Sequence, residues 1–71
     1  MSYKISSARY GWLWGVQRKD GEIVNVTWGK GKDAAMPMDE KRMQEVHAYL
    51  YDVGIAHDIN NVWIPWIDGR N

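Results

Sequence analysis

Apolar and polar positions alternate with a period of two over Tyr10–Arg18 and again over Glu22–Trp28. That alternation is the mark of half-buried strands, and the Arg18-Lys19-Asp20-Gly21-Glu22 stretch between them supplies turn residues, so the pair predicts a β-hairpin. Two registers compete. A two-residue Asp-Gly loop sets Trp14 opposite Thr27 and Val16 opposite Asn25, mixing apolar with polar. A three-residue loop with Gly21 left-handed pairs Val16 with Val24, Trp14 with Val26 and Trp12 with Trp28. A one-residue slip exchanges the two faces, so the apolar pairing favours the second register. One face then carries Trp12, Trp14, Val16, Val24, Val26 and Trp28. The other carries Gly11, Leu13, Gly15, Gln17, Ile23, Asn25 and Thr27.

The period changes over residues 38–53. Met43, Val46, Leu50 and Val53 recur at helical spacing, with Tyr49 on the flank of the stripe. Pro37 and Asp39 are start signals, and Asp39 and Glu40 suit the positive end of the helix dipole. Gly54 is a natural left-handed residue after the last turn, and Ile55 can pack back on that turn. Asn61–Ile67 reads as a third strand, with Pro65 confining it to a sheet edge or a bulge. Tyr3–Ser7 has the composition of a further short strand whose place the pattern leaves open. The order is ββαβ. Chain rules for the crossover make the second and third strands parallel in direction. The predicted fold is α+β, a single domain over residues 1–71: a three-stranded antiparallel sheet of order 2-1-3 with one helix on its tryptophan-rich face. Trp14, Val26, Val46 and Leu50 form the expected centre of the core.

Length and composition sharpen this picture. Seventy-one residues allow one domain, and 45% hydrophobic with 25% charged residues is a globular balance. There is no cysteine, which removes disulfide scaffolds, thiolate catalysis and zinc–thiolate sites, and points to the cytoplasm. No apolar run approaches the roughly 20 residues needed to span a bilayer, and Met1–Val16 lacks a signal-peptide apolar segment. The aromatic set is five tryptophans and four tyrosines without a phenylalanine. A short chain uses such side chains to fill a small core, but tryptophan and tyrosine also dominate binding hot spots. The formal charge is zero, yet residues 1–32 hold six cations against two anions and residues 33–71 hold three against seven. Asymmetry of this kind accompanies interaction surfaces.

Candidate chemistry is sparse. Trp28-Gly29-Lys30-Gly31-Lys32 follows a strand but lacks the spacing and helix start of a phosphate loop. His47 and His57 lack the companions and spacing of a metal site, and no nucleophile motif is present. The expectation is therefore a non-enzymatic domain without metal or cofactor that binds another protein, with a homodimer through the second strand's open edge. The style suits a bacterial or bacteriophage accessory protein. Parity selects the contact surface. Trp63 and Trp66 differ by three positions, so in a regular strand one of them faces outward. Trp66 shares parity with Val62 and Ile64, an inward set, which leaves Trp63 outside. Leu13 and Ile67 lie beside it, and Gly11 and Gly15 expose backbone to a partner. Tyr3 and Ile5 are the segment that could cover this tryptophan instead. The second reading is a nucleic-acid module. Arg9, Arg18, Lys19, Lys30 and Lys32 interleave with aromatic residues, as in single-strand binders.

Overall fold

The hairpin and the helix are present, but the sheet is assembled around the N-terminal strand. In the computed structural model, which describes residues 1–69, the strands are β1 (Ser2–Ser7), β2 (Gly11–Lys19), β3 (Glu22–Gly29) and β4 (Asp58–Val62). The helices are α1 (Glu40–Asp52) and a single turn, α2 (Pro65–Asp68). The four strands lie in the order β3-β2-β1-β4, and every neighbouring pair is antiparallel. This corrects the expected three strands of order 2-1-3. The unplaced N-terminal segment takes the inner position beside β4, because Ile5 can there be buried completely. The insertion of β1 also makes β3 and β4 run in opposite directions rather than parallel.

The hairpin turn is the two-residue Asp20-Gly21 loop, with Lys19 opposite Glu22 and positive φ at both central residues, 53° and 83°. Asp-Gly suits such a mirror-image turn because its twist matches that of the flanking strands. The register chosen from apolar pairing is therefore wrong at the turn. Two bulges rescue the apolar pairing further along. The register shifts between Gln17 and Arg18, leaving Val24 without a partner, and between Leu13 and Gly15, leaving Trp14 without one. Each bulge reverses the facing of the residues beyond it. Leu13, Val16, Ile23, Val26 and Trp28 consequently face the core cluster, while Trp14 and Val24 are 43% and 52% exposed. Leu13 and Ile23 thus exchange faces with Trp14 and Val24 relative to strict alternation.

β1 and β2 pair only at Ser6–Trp12 and Ser7–Gly11 before they part. The connection after β3 fills the gap. Tyr3 and Met38 exchange two backbone hydrogen bonds of 2.9 Å, and Met36 N–H donates to the Leu13 carbonyl at 3.0 Å. Ala35 and Met38 are buried there. A stretch that reads as loop is thus a third partner in the sheet, since buried strand edges must find hydrogen bonds.

α1 follows its sequence signals. The Asp39 side chain accepts the Arg42 N–H at 2.8 Å, and Met43, Val46 and Leu50 are buried. At its end the Ile55 N–H reaches back to the Leu50 carbonyl at 2.9 Å across Gly54, whose φ is positive. α1 packs chiefly on β1. Ile5, Leu13, Met38, Met43, Val46 and Leu50 form the core cluster. Val26 joins its margin, but Trp14 does not. No helix among the described residues is long and apolar enough to cross a membrane.

Candidate functional site

The expected third strand, Asn61–Ile67, ends at Val62. Ile64 is buried and anchors the departing chain, and Pro65 opens α2 instead of blunting a strand. Asp68 closes this turn. Its carboxylate accepts the Ile64 N–H at 2.8 Å and the Ser2 hydroxyl at 3.1 Å, with the Met1 amine 3.5 Å away. The Ile64 N–H above all, then the Ser2 hydroxyl and the amine, hold the Asp68 carboxyl below its ordinary value, against an opposing effect of burial. A helical turn breaks the two-residue parity of a strand. Trp63 and Trp66 therefore both point to solvent, at 62% and 70% exposure. Trp63 is exposed as expected, though not as part of a strand, whereas Trp66 is not inward.

These indoles line a cleft of about 520 Å³ together with Pro37, Pro65, Lys4 and Lys32. Its position depends on the 29–35 segment, which the two outer tryptophans of β2 hold down. The Trp14 ring lies on Gly29, where a β-carbon would overlap it, and its Nε1–H donates to the Gly31 carbonyl at 3.0 Å. The Lys32 ammonium sits 5.7 Å from the centre of the Trp12 ring. The Lys32 carbonyl then accepts from Lys4 Nζ at 2.9 Å and from the Ala35 N–H at 3.1 Å. Lys4 occupies the outward position between the core-packed residues Tyr3 and Ile5, and it is only 9% exposed.

The other residues expected at a protein-binding surface are dispersed. Leu13 is completely buried, because the bulge at Trp14 turns it into the core, so it is not beside Trp63. Gly11 does not offer bare backbone: a β-carbon there would run into the Gly29 carbonyl. Gly15 is open, and Ile67 is exposed on α2. Of the other residues that line the cleft, Lys4 is not singled out by the sequence pattern, and Trp66 is read there as inward. Lys4 could be found only after β1 had been assigned to the sheet. Trp66 could be found only after Pro65 had been recognised as a helix start.

The basic residues of the hairpin half fall into separate groups. Arg18 and Lys19 lie at the turn, where Arg18 donates to the Gly21 carbonyl and pairs with Glu45 of α1 at 3.1 Å. Arg9 lies over Tyr10, whose ring stacks on Trp28. Lys30 and Lys32 lie in the connection after β3. Elsewhere, His47 Nδ1 and His57 Nε2 are 2.7 Å apart, and His57 Nδ1 is 2.7 Å from the Ile55 carbonyl. That carbonyl can only accept, so in the neutral pair His57 donates to it through Nδ1–H and accepts from His47 Nδ1–H through Nε2. Among the described residues no group of three acidic or histidine side chains is placed to hold a metal ion. Comparison with protein-family models, with curated protein sequences and with solved structures yields no match, so the site is interpreted from its own geometry.

Proposed function

We propose that this domain is a non-enzymatic protein-interaction module whose contact surface is the cleft bordered by Trp63 and Trp66, next to the outer edge of β4. The observation that carries the reading is the exposure of both indoles at one concavity, in a chain short of core-forming surface. Indoles left in water beside prolines are typical of binding anchors rather than of a solvated face. The occupant is an extended segment of another protein. β4 is an edge strand, so its outer backbone groups are open to strand addition, and the cleft lies where β4 ends. Peptide display against the purified domain tests this. Peptides selected by the domain should lose about 30-fold in affinity on Trp66→Ala or Trp63→Ala, the size of a hot-spot loss. Selected peptides that bind both variants as well as the parent domain refute the assignment.

A nucleic-acid reading is the alternative. It draws support from the two cation–aromatic pairs, Arg9 with Tyr10 and Lys32 with Trp12. Against it, Arg18 is engaged with Glu45 and the cations are divided between the two ends of the hairpin. Oligonucleotide binding that falls steeply between two salt concentrations would favour it over the protein-binding reading.

A further inference from the structure

We propose that the tryptophan cleft is a carboxylate-recognition site. Its ligand is an extended peptide segment that places a carboxylate on Lys4 and an adjacent apolar side chain against Trp63 and Trp66. This deepens, and rests on, the protein-binding reading of the same cleft.

Lys4 carries the inference. Its side chain lines the cleft and the residue is nine-tenths buried. An ammonium has three donors. Among the described residues Lys4 Nζ has one acceptor, the Lys32 carbonyl, and that oxygen already takes the Ala35 N–H as well. The ion pairs among the described residues are Arg18–Glu45 and the terminal amine with Asp68, so among the described residues Lys4 has no carboxylate within 4.0 Å. Withdrawing a cation from water without an anion is unfavourable, and an incoming carboxylate supplies a counter-charge and charge-assisted hydrogen bonds. Lys32 also lines the cleft, and its ammonium, held at the Trp12 ring, adds positive charge nearby. Among the described residues Asp33 is the one acidic residue of the lining, and it works against the anion. The apolar walls fix the rest of the ligand, because indole and proline faces favour an apolar or aromatic neighbour to the acidic group. The carboxylate can come from an acidic side chain or from a chain terminus.

The indole Nε1–H signals of the full chain, followed by NMR, provide the readout. Three hexapeptides serve as probes: one capped at both ends with a glutamate next to a phenylalanine, its capped glutamine counterpart, and the glutamine peptide with a free C-terminus. The capped glutamate peptide, the free-terminus peptide or both should bind about tenfold more tightly than the capped glutamine peptide. Which of the two gains identifies the carboxylate's source. Lys4→Met should abolish the gain, Lys4→Arg should retain it, and Asp33→Asn should enlarge it. If Lys4→Met does not fold, Lys32→Gln, at an exposed position, should reduce the gain at least threefold, and an undiminished gain overturns the proposal. Equal binding of all three probes, weakened by Trp66→Ala, overturns the carboxylate preference and leaves the protein-binding cleft intact. A gain that survives Lys4→Met in a folded variant overturns the role of Lys4. Absence of any shift at millimolar probe overturns the carboxylate site, while the wider reading is judged on the selected peptides.

Discussion

Gly29→Ala is a one-carbon change that separates the bulged hairpin from a regular one. A β-carbon at Gly29 would overlap the Trp14 ring, so the indole must leave its seat and the hydrogen bond to the Gly31 carbonyl is lost. Trp14 is 43% exposed, so a little over half of an indole side chain is covered. That is about 100 Å² of apolar surface, or about 2.5 kcal/mol if all of it were released. An exposed neutral hydrogen bond adds about 0.5–1 kcal/mol. Partial resettling of the ring lowers the total to an expected loss of about 2 kcal/mol. In a Trp14→Ala background the obstacle is gone. There the second alanine should be neutral or stabilise by about 0.5 kcal/mol, because glycine is the poorer strand residue. Urea unfolding of the four proteins in the double-mutant cycle therefore predicts a coupling of about 2 kcal/mol between positions 14 and 29. If Gly29→Ala costs the same in both backgrounds, the two residues do not touch and the bulge at Trp14 is refuted.

Leu50→Ala and Leu13→Ala should each cost about 2–5 kcal/mol in urea unfolding, since both side chains are completely buried. A harmless Leu13→Ala would contradict its inward facing. Asp68 titrates below its ordinary value of 3.8. Its contribution to stability is complete above that value and disappears as the pH falls through the lower folded value. The protection factor of the Ile64 amide, its exchange relative to the intrinsic rate at the same pH, should therefore fall only below about pH 3.8, and Asp68→Asn should remove this acid step; a protection factor that already falls between neutral pH and about pH 5 would contradict it. Strand β3 is an open edge without a proline, so pairing with its own copy should appear as concentration-dependent sedimentation abolished by a charge at the exposed, unpaired Val24, Val24→Lys. A monomer at all concentrations would exclude this dimer.

What was legible in the sequence was local. The helix could be read from the spacing of Met43, Val46 and Leu50, because burial on one side of a helix imposes its period on the chain within a few residues. Asp39 and Gly54 act within one turn of themselves, so both ends of α1 were legible too. The hairpin's location was legible for the same reason. The register was not. Asp20-Gly21 favours a tight turn and the valines favour apolar pairing, and only the packed sheet reconciles them by ejecting Val24 and Trp14 as bulges. The place of β1 was also hidden, because its partners lie in β4, some 52–60 residues away, and in the Met38 segment. Nothing in Tyr3–Ser7 encodes those partners. The candidate site inherits that difficulty. Trp63 stands out by its chemistry alone. Lys4 joins it only because the tertiary structure places β1 beside β4, and Trp66 only because Ile64 and Asp68 draw Pro65 into a helical turn. Side-chain type and short-range spacing reside in the chain itself. Which surfaces meet depends on the joint burial of residues far apart, a condition that no single segment carries.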